Sequence, residues 1–167
     1  MKFTEYLRLN ESTHTAQPKT KDELKKIIED TIKEQGNNCD LNFIDTSLIK
    51  DMARLFSGSK FNGDISKWNV SNVKYMFSMF RESEFNGDIS KWDVSKVEDM
   101  SRLFYGSKFN GDISKWDVSN VKNMIYMFYG SKFNRDISKW NVSKVEDMSD
   151  MFKGSALKGN EPNWYKD

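Results

Sequence analysis

The sequence predicts an α/β repeat solenoid with an N-terminal helical cap, and three observations support this fold class. The octapeptide FNGDISKW starts at Phe61 and returns at Phe85 and Phe109, and then at Phe133 as FNRDISKW. All five tryptophans fall on the same 24-residue step. An amphipathic segment precedes the array. A strict period of this length is typical of solenoids, in which each unit buries its apolar side chains against its neighbours.

The first predicted element is an amphipathic helix over residues 20–36, after a polar N-terminal segment over 1–19. Thr20 and Glu23 fit a capping box, and Gly36 fits the C-terminal stop. We interpret the helix as a cap on the first repeat, because an uncovered end would leave an exposed edge. The alternative is a helix that docks on a partner. Its apolar stripe consists of Leu24, Ile27, Ile28, Thr31 and Ile32.

The repeats follow this helix in a fixed order. A degenerate first repeat covers residues 37–60, and four full repeats cover 61–156. An exit fragment over 157–167 keeps Trp164 but lacks the isoleucine and valine of the full units. The fragment is therefore predicted to be a C-terminal cap.

Each full unit is predicted to contain a short parallel strand and a short helix. The spacing I-x-x-W-x-V-x-x-V, beginning at Ile65, resembles the leucine-rich repeat L-x-x-L-x-L-x-x-N-x-L, with no asparagine ladder. The W-x-V triplet alternates with period two, which favours a strand. Val73, Met76, Met79 and Phe80 lie on one face of a two-turn helix. The predicted unit is therefore leucine-rich-repeat-like.

The octapeptide is interpreted as structural. Its aspartates, each after Asn-Gly or Asn-Arg, are expected to fix the turn by bonding nearby backbone N–H groups. A calcium ladder is the alternative, since carboxylates are hard oxygen ligands. The turn-fixing residues are Asp64, Asp88, Asp112 and Asp136. The structural repeat core is represented by Phe61, Ile65, Trp68, Val70, Val73, Met76, Phe80, Trp92, Trp116 and Trp140.

Specificity is expected where the repeat varies. Several large apolar or aromatic side chains occupy slots that hold Asp, Ser, Arg or Lys in sister units. Such side chains can form an exposed patch for protein contact, whereas the alternative is packing between adjacent units. This candidate protein-binding patch consists of Tyr75, Phe77, Tyr105, Ile125, Tyr126 and Tyr129.

Composition argues against several function classes. The net charge is +1, which gives no electrostatic footprint for nucleic acid. One histidine and one cysteine are too few for a zinc cluster, and no phosphate-cradling G-x-x-x-x-G-K-[ST] loop occurs. We therefore expect no enzyme activity, no metal and no cofactor. The sequence has no apolar run that could span a membrane and no Sec signal, so a cytoplasmic or virion-associated location is predicted.

The repeat resembles a known family. The stretch VSNVKYMFSMFRESEFNGDISKWDVS, from Val70 to Ser95, is similar to the repeat of BspA-like leucine-rich repeat surface proteins, also known from mycoplasma lipoproteins. The resemblance covers residues 38–164. It implies surface adhesion and protein–protein contact, and it carries no catalytic residues. The predicted function is therefore a non-catalytic protein-binding solenoid with an unidentified protein partner.

The N-terminus supports an alternative. MKFTEYLRLNE resembles the packaging tag of internal head proteins of tailed phages, which is cut after a (Leu/Ile)-x-Glu triplet. The triplet here would be Leu9, Asn10 and Glu11. The resemblance implies a phage-encoded virion or internal head protein that acts inside a bacterial host.

Overall fold

The computed structural model describes residues 16–166, and the one helix in that range is α1, Lys21–Gln35. Thr20 is its N-cap residue and accepts a hydrogen bond from the backbone N–H of Glu23. The Glu23 carboxylate accepts in turn from the backbone N–H of Lys19. At the other end, Gly36 has a φ of 87° and donates its N–H to the carbonyl of Ile32. These caps satisfy backbone groups that a helix leaves without internal partners.

Helix α1 packs on the first turns of the array. Leu24 and Ile28 are fully or almost fully buried in one apolar cluster that also contains Leu41 and Ile44. Lys21 makes an ion pair of 3.2 Å with Asp51 in the first repeat. The buried stripe therefore covers the N-terminal end of the core, while the glutamates of α1 and its lysines other than Lys21 face solvent.

The repeats pair through the segment that begins near Tyr75 in each unit. Isolated parallel bridges join Asp51 to Tyr75, Tyr75 to Asp99, Asp99 to Asn123, and Asn123 to Asp147. From there, alternate backbone N–H groups donate to carbonyls of the next unit at 2.6–3.1 Å. In the second pairing the donors are Met76, Ser78, Phe80 and Glu82, and the acceptors are Asp99, Ser101, Leu103 and Tyr105.

This pairing differs from the predicted strand and helix of the unit. Trp68–Val70 forms no strand, and Val73–Phe80 contains an isolated bridge at Tyr75 followed by turns from Phe77 onward instead of a helix. The backbone at Ser78 and Glu82 is left-handed, with φ of 55° and 53°, and a left-handed residue interrupts a right-handed helix. The apolar steps that indicated a helix arise because each turn sends its next side chain into the same core.

The tryptophans form a ladder that explains their strict spacing. Each indole Nε1–H donates to a backbone carbonyl in the preceding unit, 27 residues earlier, as in the bond from Trp92 to Ile65 at 3.2 Å. Trp164 in the exit fragment keeps this bond to Ile137. A buried indole N–H requires an acceptor, so the ladder both fills the core and satisfies its polar atom. The other members are Trp68, Trp116 and Trp140.

An asparagine ladder is also present, contrary to the sequence-based expectation. Asn62 Oδ1 accepts the backbone N–H of Asn86, Asn86 accepts from Asn110, and Asn110 accepts from Asn134. The ladder lies in the turn before each aspartate. The expectation was wrong because the leucine-rich-repeat comparison placed the ladder after the W-x-V triplet.

Phenylalanines complete the core as continuous stacks. Phe56, Phe80 and Phe104 stack with ring centroids 5.6 and 5.7 Å apart. A second stack begins with Phe61 and Phe85, whose centroids are 6.2 Å apart. We propose that the stacked units form a leucine-rich-repeat-like solenoid built from turns, with the unit boundaries taken from the sequence.

Candidate functional site

One side of the array carries an open groove with a cavity volume of about 990 Å³. We call it the aromatic groove. Equivalent positions of successive units line it, so each unit contributes to one continuous surface. Its lining residues are Arg54, Ser57, Phe77, Ser78, Arg81, Asp99, Ser101, Arg102, Tyr105, Tyr126, Tyr129, Asp150 and Lys153.

The groove contains a column of left-handed residues that are not glycine. The column repeats every 24 residues, and its φ angles lie between 51° and 62°. All members line the groove. A side chain in this conformation costs about 1–2 kcal/mol relative to the right-handed form, a cost that glycine avoids. We call these positions the left-handed column, namely Arg54, Ser78, Arg102, Tyr126 and Asp150.

A second left-handed column, four residues further along, uses glycine at four of its five positions. Gly58, Gly106, Gly130 and Gly154 have φ of 60° to 69°, and Glu82 is the exception. None of these residues lines the groove. The same backbone requirement is therefore met mostly by glycine outside the groove and by larger side chains inside it.

Arginines stack on aromatic rings along the groove. The Arg54 guanidinium lies 5.4 Å from the Phe77 ring centroid, and the Arg102 guanidinium lies 5.0 Å from that of Tyr126. Arg81 lies 5.5 Å from the ring of Tyr105. In each pair the arginine belongs to one unit and the aromatic ring to the next. These cation–π contacts hold the arginines along the surface and leave guanidinium N–H groups at its edge.

The tyrosines form a compact cluster at the C-terminal part of the groove. The rings of Tyr105 and Tyr129 stack at 5.0 Å with an interplanar angle of 4°. Tyr126 meets Tyr129 edge to face at 5.7 Å. All three rings are half-buried, so each presents part of its surface to solvent. Rigid aromatic surfaces of this kind supply contact area at low conformational cost.

Charge along the groove is only partly compensated. Lys153 pairs with Asp150 at 3.1 Å, and this carboxylate raises the pKa of the lysine. Arg81 pairs with the adjacent Glu82 at 2.9 Å. Within residues 16–166, no ion pair involves Arg54 or Arg102. The groove therefore has two guanidinium groups without a carboxylate partner in the described chain.

The structure divides the candidate protein-binding patch. Phe77, Tyr105, Tyr126 and Tyr129 line the groove. Tyr75 lies in the bridge column outside it, and 45% of its surface is exposed. Ile125 is half-buried and also lies outside the lining.

The three arginines of the groove were not predicted from the sequence. Their signal was present in the sequence, because the positions of Arg54 and Arg81 vary from unit to unit in charge and size. They lie outside the predicted patch because that patch consists of large apolar and aromatic side chains. Variable charged positions that share a column with variable aromatic ones would have indicated the whole surface.

The predicted turn aspartates accept hydrogen bonds two residues ahead. Asp64 Oδ1 accepts the backbone N–H of Ser66 at 2.8 Å, and Asp88 accepts that of Ser90 at 2.9 Å. Asp112 and Asp136 make the equivalent bonds at 2.9 and 2.8 Å. These backbone bonds are the largest cause of the lowered pKa of all four carboxyls. Their geometry is that of Asx turns.

The predicted core residues occupy the interior. Phe61, Val73, Met76 and Phe80 have no exposed surface, and Ile65 and Val70 are 1% exposed. The predicted tryptophans Trp68, Trp92, Trp116 and Trp140 are 4–5% exposed. The candidate processing site at Leu9, Asn10 and Glu11 lies outside the described residues and stays a prediction.

A second charged surface consists of exposed ion pairs between units. Glu98 lies between Lys74 at 3.5 Å and Lys122 at 2.9 Å, and Lys122 is the first cause of the lowered pKa of Glu98. Such exposed pairs contribute little to stability. In residues 16–166, no three His, Cys, Asp or Glu side chains come together as a metal site.

Comparisons with known proteins add a family. In the described part of the chain, no helix has the length and apolar character needed to cross a membrane. Searches of curated proteins and of solved structures found no match. A family model described as "Mycoplasma protein of unknown function, DUF285" matches residues 23–130 and again residues 85–166. The two matches overlap, as a repeated sequence allows, and together they span most of the chain, which therefore belongs to the DUF285 family.

Proposed function

We propose that this protein is a non-catalytic binding module that holds a protein partner in its aromatic groove. The stacked units act as a scaffold, and the variable positions of successive units determine which partner binds. The resemblance of the repeat to BspA-like surface proteins, which are associated with protein contact, supports this function.

The left-handed column is the observation that carries the proposal. Side chains stand where the backbone favours glycine, and every one of these positions lines the groove. Backbone strain of this kind persists at sites where a side chain is required. The neighbouring glycine column shows that the repeat adopts the same conformation with glycine where no groove is formed.

The lining suits a protein surface. Tyrosine and arginine are enriched at the centres of protein–protein interfaces, where they contribute most of the binding energy. Tyr105, Tyr126 and Tyr129 contact each other, so they form one cluster instead of scattered exposed rings.

The test is capture of a partner by the tagged protein, with mass spectrometry as the readout. Tyr126→Ala with Tyr129→Ala should abolish capture of a protein that the wild type holds. Tyr75→Ala is the matched control, because it removes an exposed tyrosine outside the groove. Circular dichroism and thermal melting establish that each variant is folded.

The proposal fails if a folded double variant captures the same protein with the same yield as the wild type. It also fails if Tyr75→Ala weakens capture as much as the double variant does, because the binding surface would then lie outside the groove.

A further inference from the structure

We propose that the groove's partner is an acidic protein segment in an extended conformation, whose carboxylates pair with Arg54 and Arg102. This inference rests on the proposed function and specifies the chemistry of the partner. It follows from the charge of the groove, the geometry of its arginines and their spacing along the array.

The charge of the groove is complementary to a carboxylate ligand. The lining includes four basic side chains and two acidic ones. Lys153 is neutralised by Asp150, whereas no ion pair within residues 16–166 involves Arg54 or Arg102. An arginine fork pairs with a carboxylate through two parallel N–H···O bonds. Each of these arginines can therefore donate two hydrogen bonds to the carboxylate of one acidic side chain.

The arginines are held in place before a ligand arrives. Arg54 stacks on Phe77 and Arg102 on Tyr126, each across a unit boundary. Stacking on one face of the guanidinium leaves the in-plane N–H groups available to a ligand. Because the side chains are already ordered, less conformational entropy is lost when a carboxylate binds.

The spacing of the arginines favours an extended ligand that runs along the array. Backbones paired in parallel lie about 4.8 Å apart, so equivalent positions two units apart are separated by about 10 Å. An extended segment in the polyproline-II conformation has three residues per turn and advances about 3.1 Å per residue, so carboxylates three residues apart lie on one face and span nearly the same distance. The exposed faces of Tyr105 and Tyr129 then contact the residues that follow.

A single-stranded nucleic acid is the competing ligand, because aromatic rings and arginines also bind unstacked bases. The structure favours the protein segment for two reasons. Two guanidinium groups without an ion pair in the described chain match two separate carboxylates of a peptide, whereas Asp99 and Asp150 in the same lining would repel the unbroken row of phosphates of a nucleic acid. The net charge of the chain is +1, which gives no long-range attraction to a polyanion.

The experiment selects a yeast-displayed random peptide library on the full-length wild-type protein. We expect the selected peptides to be enriched in aspartate and glutamate relative to the unselected library, with acidic residues recurring three apart. Arg54→Gln with Arg102→Gln should weaken a selected peptide roughly ten-fold or more, because two charge-assisted contacts are lost. Arg135→Gln is the matched control, since Arg135 is exposed and lies outside the groove.

The other outcomes separate this inference from the proposed function. The selected peptides could lack acidic enrichment, bind the Arg54/Arg102 variant as tightly as the wild type, and fail to bind Tyr126→Ala. That result overturns the acidic segment and leaves the protein-binding groove intact. Failure to select any peptide that depends on Tyr126 or on the arginines overturns both. If oligothymidylate binds the wild type more tightly than the selected peptides do, and loses this affinity in the Arg54/Arg102 variant, the acidic segment is overturned in favour of nucleic acid.

Discussion

At the residue scale, the groove and the neighbouring glycine column share one backbone conformation and differ in their side chains. Arg102 and Gly106 are both left-handed, with φ of 54° and 60°, and lie four residues apart in one unit. Arg102 lines the groove, whereas Gly106 does not. The pair therefore allows the cost of placing a side chain there to be measured within one protein.

Arg102→Gly should change the free energy of unfolding by less than about 1 kcal/mol. Relief of left-handed strain offsets the lost stacking on Tyr126 and the greater entropy of glycine in the unfolded chain. Gly106→Ala should destabilise by about 1 kcal/mol, because its Cβ adopts the strained conformation and lies 3.3 Å from Glu82 Cγ. Urea unfolding measures both, and equal destabilisation by the two substitutions would contradict this account.

The Asx turns predict how stability depends on pH. The folded-state pKa of Asp64, Asp88, Asp112 and Asp136 is lowered, first by the backbone hydrogen bond each carboxylate accepts. Their contribution is therefore fully present above the unfolded-state pKa of about 3.9 and is lost as pH falls through the lower folded-state value. Stability should decline steeply below about pH 4.

Asparagine at these four positions should flatten that decline. Its side-chain oxygen can accept the same backbone bond without titrating, as Asn69 and Asn123 already do in this array. Urea midpoints at neutral and acidic pH compare the quadruple variant with the wild type. An equally steep loss of stability in both would show that other carboxyls control the acid transition.

The residues that could be predicted from the sequence are those that repeat. Spacing alone indicated Trp68, Phe61 and Asp64, because core and turn positions recur in every unit. The groove arginines were not predicted, because the predicted patch was limited to apolar and aromatic side chains at variable positions. Their stacking on rings of the next unit depends on backbone angles that the sequence does not display.

At the element scale, helix α1 closes the N-terminal end of the core. Leu24→Ala should destabilise this end by about 2–5 kcal/mol, because Leu24 has no exposed surface. Since α1 is the one helix in residues 16–166, loss of the helical far-UV circular dichroism signal on titration with urea reports on it directly. Lys26→Ala is the control, as Lys26 is exposed and its pair with Asp30 is weak. A Leu24→Ala curve that overlays the control would show that α1 does not close the core.

Helix α1 and the repeat differ in how far the local sequence determines the backbone. Helix α1 has a long apolar period and capping residues, and these signals determine a helix without reference to the rest of the chain. Within the repeat, the short apolar steps fit a helix and a chain of turns equally well. The left-handed backbone of Ser78 and the hydrogen bonds to the next unit produce turns instead of a helix. Both features depend on the stacking of neighbouring units.

At the scale of the whole molecule, the repeat should be removable in whole units. Deleting residues 85–108 joins Glu84 to Phe109 and keeps the register of the tryptophan and asparagine ladders. The shortened protein should fold and unfold cooperatively, with a smaller urea m-value because less surface is buried. Deleting residues 85–96 alone should prevent folding, since it removes half a period. If both deletions behave alike, the units do not stack as proposed.

The central claim is that side chains of the left-handed column bind a partner and are not needed for the fold. The most direct test is the dissociation constant of a selected peptide for the wild type and for the variant Arg54→Gly/Arg102→Gly/Tyr126→Gly. We predict a folded variant whose thermal midpoint is close to that of the wild type and whose affinity is lower by roughly a hundred-fold or more. An unchanged dissociation constant in the folded variant would contradict the claim.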